Sequence, residues 1–197
     1  MPLNADPQTY SVFKQSLAQS NCQKCPLALK RTNIVVDRGN PEAKVVMIGE
    51  APGENEDLEG KAFVGRSGKL LDEMLMELGF DTNKDSLIIN VAKCRPPENR
   101  RPTEAEALAC RPYLEKQLCL VRPKIILLLG ATALKHMVGD KKKSSMAGAV
   151  GNFFTHPGFP GIRLMVLYHP AYILRDPRKK PRMMEHLKMF VSEWKKQ

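Results

Sequence analysis

The sequence predicts a mixed α/β protein, a three-layer α/β/α sandwich with a central, mostly parallel sheet of four strands. Four short apolar runs lack the polar alternation of a half-exposed strand, and they cover residues 45–48, 87–91, 125–129 and 164–168. Uninterrupted apolar strands are typical of parallel sheets that helices cover on both faces. The segments between the runs have helical spacing, and this alternation predicts a single domain over residues 1–197.

Helices are predicted from apolar spacing and from residues that begin or end a helix. Asp6 followed by Pro7 is typical of a helix start, and Gly79 is typical of a helix end. Thr103 and Glu106 match a capping box, in which each side chain binds the other residue's backbone. The predicted helices cover residues 7–19, 70–78, 104–120, 131–138 and 183–194.

The charge is uneven along the chain. Lysine and arginine number 31 against 21 acidic residues, a net charge of +10, and residues 139–197 contain 12 basic and 4 acidic residues. A localised basic excess favours a polyanion such as nucleic acid as partner, and the alternative is an ordinary soluble basic surface. No apolar run approaches the ~18 residues of a membrane span, and the first ten residues do not form a signal peptide. We therefore expect no membrane partner and a cytoplasmic location.

Residues 140–161 are rich in glycine and carry three consecutive lysines at 141–143. The stretch also contains two prolines, Pro157 and Pro160. It is therefore predicted to be a surface loop.

The five cysteines suggest a metal site rather than paired disulfides. Cys22 and Cys25 form a C-x2-C pair, and Cys94 and Cys110 lie far downstream. Four such thiolates can hold zinc or an iron–sulfur cluster, and the single close pair favours the cluster. A redox dithiol at the close pair and buried free thiols at the other two positions are the alternatives. Cys119 lies nine residues after Cys110, on the opposite face of the same helix, and is predicted to be a core thiol.

Polar residues follow three of the predicted strands. Glu50 follows the first strand, Asn90 ends the second, and His169 follows the fourth. In an open parallel sheet, ligands bind outside the carboxyl ends of the strands, so we expect these side chains to face one crevice. The chain has neither the phosphate-loop nor the dinucleotide-binding glycine motif, and this does not support a nucleotide-binding enzyme.

Several motifs occur in a characteristic order: CQKCPL at 22–27, GEAPG at 49–53, NVAKCRPPENR at 90–100 and HPAYILR at 169–175. With further matches at 60–71, 110–114 and 123–126, the chain resembles the family 4, iron–sulfur uracil-DNA glycosylases. The resemblance implies a DNA repair enzyme that flips uracil out of DNA and hydrolyses its N-glycosidic bond. It implies uracil-containing DNA as substrate, free uracil as product, and a monomer that acts at the nucleoid. It also implies a [4Fe–4S] cluster on Cys22, Cys25, Cys94 and Cys110.

The resemblance further implies how uracil is read. The carboxamide of Asn90 would bind the O4 and N3–H edge, for which cytosine presents the reverse pattern. Phe63 would stack on the flipped ring, and Glu56 would crowd uracil C5 and exclude thymine. The implied substrate-binding set is Gly49, Glu50, Ala51, Glu56, Phe63, Asn90 and His169.

Catalysis is implied at two of these residues. His169 would donate a hydrogen bond to uracil O2 as negative charge accumulates there. Glu50 would position the attacking water and balance the cationic sugar. Ala51 stands where the better-known uracil-DNA glycosylases have aspartate, so Glu50 takes the role as family 4 implies. No lysine is placed as a nucleophile, which predicts a monofunctional enzyme that leaves an abasic site.

The segment after His169 is expected to contact DNA. Ile173 would fill the gap left by the flipped base as an apolar wedge. Arg175, together with the basic residues at 178–182, would bind the flanking phosphates.

The sequence departs from the family 4 pattern at Ala62, at Ser67 and at Ala147-Gly148. Two other functions stay open at this point. One is a metal-stapled DNA-binding module without catalysis, and the other is a family member with a changed base preference, such as hypoxanthine.

Overall fold

The computed structural model describes residues 7–139 and 146–197. These residues contain a six-stranded sheet with the strand order β1-β3-β2-β4-β6-β5. The strands are β1 Arg38–Gly39, β2 Val45–Gly49, β3 Ser86–Asn90, β4 Ile125–Leu129, β5 Phe153–Phe154 and β6 Arg163–Leu167. The four central strands run parallel, whereas β1 and β5 pair antiparallel at the two edges.

The four predicted strands are confirmed within one residue at each end, and the predicted α/β class is confirmed with them. The sheet has two more strands than the sequence predicts. Each edge strand has two partly buried residues, so neither produces an apolar run that could be recognised in the sequence.

Helices cover both faces of the sheet. They are α1 Pro7–Gln19, α2 Glu54–Glu59, α3 Arg66–Met76, α4 Thr82–Asp85, α5 Glu104–Val121, α6 Ala131–Val138, α7 Met146–Ala149, α8 Pro170–Arg175 and α9 Lys180–Trp194. Among the described residues, none of these helices has both the length and the apolar character needed to cross a bilayer.

The predicted helix signals have mixed outcomes. The capping box is confirmed, because Thr103 Oγ1 accepts from Glu106 N at 3.3 Å and Glu106 Oε2 accepts from Thr103 N at 2.7 Å. Gly79 follows α3 with a left-handed φ of +78°. Helix α3 begins at Arg66, four residues before the predicted start. Its first turn carries polar residues, so the apolar spacing does not reveal where the helix begins. Asp6 and the lysines at 141–143 lie outside the described residues. The loop predicted over 140–161 is wrong in part, because α7 and β5 lie within it.

Alternate residues of β2 show how the three layers pack. Val45 and Met47 belong to an apolar cluster with residues of α3 and α9, whereas Val46 and Ile48 belong to a second cluster with residues of α1, α5 and α6. All four side chains are fully buried, and each such burial contributes about 1.5–3 kcal/mol. Both faces of the sheet are therefore core.

The register brings the strand ends together at one edge. Gly49 pairs with Asn90, Ile48 pairs with Leu128, and Leu129 pairs with Leu167. The residues that follow β2, β3, β4 and β6 therefore meet at the carboxyl edge of the sheet.

Candidate active site and cysteine cavity

A cavity of about 650 Å³ lies at the carboxyl edge of the sheet. Among the residues predicted to bind substrate, all but Gly49 line it, and Arg175 lies at its rim. Its other walls come from the loop at 99–101, the start of α6, Tyr168 and Tyr172. The structure thus brings together the side chains that the sequence placed at separate strand ends.

Gly49 lies behind the side chains of Asn90 and Phe63, which line the cavity. A Cβ at this position would lie 2.5 Å from both Asn90 Oδ1 and the Phe63 ring. A larger residue would push both side chains out of place. Glycine here therefore lets the predicted base-reading amide and the predicted stacking ring lie against the end of β2.

Phe63 is held in an unusual backbone conformation. Its φ is +56°, a left-handed value that is rare for a bulky side chain. Gly68, in the first turn of α3, packs so closely that a Cβ there would lie 1.8 Å from the Phe63 carbonyl oxygen. The Phe63 ring centroid lies 5.7 Å from that of His169. The packing of α3 thus holds the aromatic ring beside the imidazole.

Asn90 has a buried polar atom without a partner. Its side chain is 1% exposed, and within the described residues its Oδ1 has no hydrogen-bond donor. Leaving a buried acceptor unpaired costs about 1–3 kcal/mol. The Asn90 backbone carbonyl, by contrast, accepts a 2.7 Å hydrogen bond from Lys93 Nζ. The backbone is therefore fixed, and the side-chain oxygen is available to a donor that enters the cavity.

His169 is a neutral imidazole with a defined donor. Burial, followed by the charge of Arg175, lowers the pKa of His169 to about 4. Its Nδ1 accepts a 3.2 Å hydrogen bond from the backbone N–H of Ala171 at the start of α8. An accepting Nδ1 cannot carry the proton, so the neutral ring carries it on Nε2. At neutral pH this side chain therefore offers one N–H donor and no net charge.

The Glu50 carboxylate is held from one side. Thr132 Oγ1 donates a hydrogen bond to Glu50 Oε2, and Arg101 Nε lies 3.9 Å from the same oxygen. The Glu50 side chain remains 27% exposed. It therefore combines contact with the cavity and access to water.

The Glu56 carboxylate binds two loops through backbone amides. Its Oε1 accepts from Gly65 N at 2.7 Å, and its Oε2 accepts from Gly53 N at 3.1 Å. These bonds join the loop after β2 to the start of α3. Glu56 thus shapes the cavity wall with both oxygens already bonded to the backbone.

Cys22, Cys25, Cys94 and Cys110 line a second, smaller cavity. Three of the sulfurs receive hydrogen bonds: Cys94 from Arg31 Nη1 at 3.7 Å, Cys22 from Tyr113 Oη at 3.4 Å, and Cys110 from Lys93 N at 3.2 Å. Within residues 7–139 and 146–197, no group of three or more His, Cys, Asp or Glu side chains is arranged to hold a metal ion.

The surroundings affect the cysteines differently. Burial raises the pKa of Cys94 to about 12, although the Arg31 charge opposes this shift. Burial also acts to raise the pKa of Cys22, but hydrogen bonds from Tyr113 and the Lys24 backbone lower it overall. The polar surroundings at Cys22 thus favour a thiolate, the form that binds metals.

Known proteins match this chain over most of its length. A profile of the uracil DNA glycosylase superfamily matches residues 36–194. The type-4 uracil-DNA glycosylase of Thermotoga maritima is 46% identical over 155 residues, which cover 79% of this chain and 79% of the relative. The chain belongs to the type-4 uracil-DNA glycosylases. The predicted resemblance to family 4 is confirmed.

Two further relatives are also named uracil-DNA glycosylases. The type-4 uracil-DNA glycosylase of Saccharolobus solfataricus is 44% identical over 160 residues, which cover 79% of this chain and 74% of the relative. A type-5 uracil-DNA glycosylase of Thermus thermophilus is 30% identical over 147 residues, which cover 66% of each chain.

The structure contradicts the wedge predicted at Ile173 of this type-4 chain. Ile173 is 2% exposed and packs in the core cluster with α3 and α9. Leu174 is 37% exposed. The reason is that residues 170–175 form α8, in which successive side chains point about 100° apart. The apolar side chain on the outer face is therefore the next one along the chain.

Cys119 is also not where the sequence placed it. It lies on the face of α5 opposite the buried Cys110, as predicted, but it is exposed rather than a core thiol. Cys110 faces the core and Cys119, on the other face of α5, faces outward.

Thr132 and Arg101 are contacts of Glu50 that sequence reasoning missed in this type-4 chain. Thr132 lies three residues after the end of β4, so the rule that placed Glu50 and His169 at strand ends could have found it. Arg101 follows a loop whose path depends on tertiary packing. Nothing in the sequence places it beside Glu50.

Proposed function

We propose that this protein is a monofunctional uracil-DNA glycosylase that hydrolyses the bond between uracil and deoxyribose and leaves an abasic site. The observation that carries the proposal is one cavity lined by the unpaired Asn90 oxygen, the neutral His169 donor and the Glu50 carboxylate. A protein that only bound DNA would have no use for these three groups in one cavity. The names of the type-4 relatives support the same activity.

Recognition requires the uracil to leave the duplex, because the cavity lies below the protein surface. Asn90 Oδ1 accepts from uracil N3–H, and the Asn90 amide group donates to O4. Cytosine presents an acceptor at N3 and a donor at N4, so it meets like groups and is rejected. Phe63 stacks on the ring, and the wall built by Glu56 limits the space available to a thymine methyl group.

Cleavage breaks the C1′–N1 bond, and the electron pair leaves with uracil. His169 Nε2 donates to uracil O2, where the negative charge accumulates. Because the imidazole is neutral and held in place, it gives this hydrogen bond without a proton having to be gained first. The water oxygen then bonds to C1′, and its proton passes to the Glu50 carboxylate. The same carboxylate stabilises the cationic sugar before the water adds.

DNA contacts come from the outer face of α8. Leu174 replaces Ile173 as the candidate wedge, since its side chain is exposed beside the cavity rim. Arg175, also exposed, binds a phosphate next to the flipped nucleotide.

Cys22, Cys25, Cys94 and Cys110 hold a [4Fe–4S] cluster in this proposal. The fit rests on four sulfurs around one cavity and on the hydrogen bonds that three of them receive. Four cysteine thiolates are the usual ligand set of such a cluster. The cluster stabilises the fold by joining the N-terminal segment to the loop after β3 and to α5.

The proposal includes one domain over residues 1–197 that acts as a monomer on DNA in the cytoplasm, at the nucleoid. The superfamily match over residues 36–194 supports a single domain. A sedimentation measurement of the purified protein tests the monomer, because a dimer would double the mass.

The activity is tested with an oligonucleotide that contains one uracil, followed by alkali, which breaks the strand at an abasic site. We expect a break at the uracil and none in matched strands with thymine, cytosine or hypoxanthine there. Wild-type protein with its cluster that gives no break above background would contradict the glycosylase function. A break at hypoxanthine alone would indicate a different base preference.

A further inference from the structure

The end of β4 lies beside Glu50, and its residues have not been assigned a role. Strand β4 ends at Leu129, Gly130 turns the chain with a φ of +89°, and α6 begins at Ala131. A Cβ on Gly130 would lie 3.0 Å from His169 Cβ. The first turn of α6 therefore lies close to His169, and its Thr132 contacts Glu50. Thr132 lies in that turn.

The two oxygens of the Glu50 carboxylate have different surroundings. Thr132 donates to Oε2, and Arg101 lies near the same atom. In the described part of the chain, no hydrogen bond or ion pair reaches Oε1. The carboxylate is therefore held by one oxygen, and the other is free to accept from a water molecule.

Thr132 is better suited than Arg101 to fix this orientation. The Arg101 side chain is 78% exposed and lies 3.9 Å from the oxygen, and exposed ion pairs of this kind contribute little. The Thr132 hydroxyl is partly buried on a helix whose next two residues, Ala133 and Leu134, pack in the core. A hydrogen bond from a fixed hydroxyl to a carboxylate is both stronger and more directional.

We infer that Thr132 is a positioning residue for uracil excision: its hydroxyl binds Glu50 Oε2 and turns Oε1 towards the attacking water. The inference rests on the proposed function, because it needs Glu50 to act on that water. Thr132 itself makes no contact with the base. Its loss should therefore slow cleavage without weakening the binding of uracil.

The test compares Thr132→Val, which keeps the branched shape and loses the hydroxyl, with Thr132→Ser, which keeps the hydroxyl. We expect Thr132→Val to lower the single-turnover rate of uracil release roughly 10- to 100-fold, as misplacement of a catalytic group does. The dissociation constant for DNA with a non-hydrolysable 2′-fluoro-deoxyuridine should not change. Thr132→Ser should recover most of the rate. Thr155→Val makes the same change on an exposed residue outside the cavity and should leave the rate unaltered.

A double-mutant cycle with Glu50→Gln separates positioning from a general structural effect. If Thr132 acts through the carboxylate, Thr132→Val should slow the Glu50→Gln protein much less than it slows the wild type. Equal losses in both backgrounds, or a wild-type rate for Thr132→Val, would overturn the inference. If Thr132→Val does not fold, Thr132→Ala replaces it, and equal rates for the alanine and serine variants would overturn the inference. Wild-type protein that releases no uracil would instead refute the proposed function.

Discussion

The end of β3 and the loop after it contribute to two sites, which differ in whether their buried polar atoms receive hydrogen bonds. At Asn90, a buried oxygen has no donor among the described residues, whereas four residues later the Cys94 sulfur receives a hydrogen bond from Arg31. The cavity at the carboxyl edge of the sheet thus keeps an acceptor free, at a cost of about 1–3 kcal/mol. The cysteine cavity supplies donors to three of its sulfurs. In the proposed function, this difference suits recognition of a base at the first site and stabilisation of the fold at the second.

The largest effect should come from the cysteine cavity. A [4Fe–4S] cluster would make the purified protein brown. Cys110→Ser removes one of its four proposed ligands, so we expect loss of the colour and of about 4 kcal/mol or more of unfolding free energy. Iron content and urea unfolding measure the two effects. Cys119→Ser is the matched control, because Cys119 lies on the same helix and is exposed. One zinc and no colour in the wild type would refute the cluster.

Neighbouring residues of α8 should separate packing from DNA contact. Ile173→Ala removes a buried side chain and should lower the unfolding free energy by about 2–5 kcal/mol. Leu174→Ala should change stability little and weaken the binding of uracil-containing DNA. Thermal unfolding and fluorescence anisotropy measure the pair. Weakened DNA binding by Ile173→Ala alone would restore Ile173 as the wedge.

The unpaired oxygen of Asn90 should lower the stability of the protein while serving its activity. Asn90→Leu replaces the carboxamide with an apolar group of similar size, so it removes the unpaired acceptor. We expect the unfolding free energy to stay equal or to rise by about 1 kcal/mol, while uracil excision is lost. Denaturant unfolding and the oligonucleotide assay test the two parts. A clear loss of stability would show that the amide is bonded in the protein and is not reserved for the base.

A further effect, seen only at acid pH, concerns the stability of the active site. The folded pKa of His169 is about 4, below its ordinary value of 6.5, so the unfolded chain binds a proton first as the pH falls. Stability should therefore fall between pH 6.5 and 4, by up to about 3 kcal/mol from this residue. His169→Gln should make the fall shallower. Equal pH profiles of unfolding for both proteins would contradict the buried neutral imidazole.

The smallest effect is expected at the rim. Arg175→Ala should weaken binding to uracil-containing and plain DNA alike, and it should reduce the salt dependence by about one unit of slope. Binding titrations at several salt concentrations measure this change. A loss confined to uracil-containing DNA would indicate contact with the base rather than with phosphate.

The sequence predicts the parts of this molecule that repeat a simple rule. Apolar runs identify the four central strands because both faces of the sheet are covered, and the ends of those strands identify Glu50, Asn90 and His169. Ile173 and Cys119 were misjudged because exposure depends on which helices pack nearby, and spacing alone does not reveal that. Thr132 and Arg101 become neighbours of Glu50 through the register of β2 and β4 and the path of a loop. These features are properties of tertiary packing.

In the proposed mechanism, His169 acts on the departing uracil rather than on the bound base. The direct measurement is the single-turnover rate of uracil release by His169→Ala, together with its affinity for DNA containing 2′-fluoro-deoxyuridine. We expect a rate roughly 10²–10³-fold lower and an affinity close to that of the wild type, because the hydrogen bond strengthens as uracil becomes anionic. A wild-type rate with weakened binding would contradict it and leave His169 as a residue that only holds the start of α8.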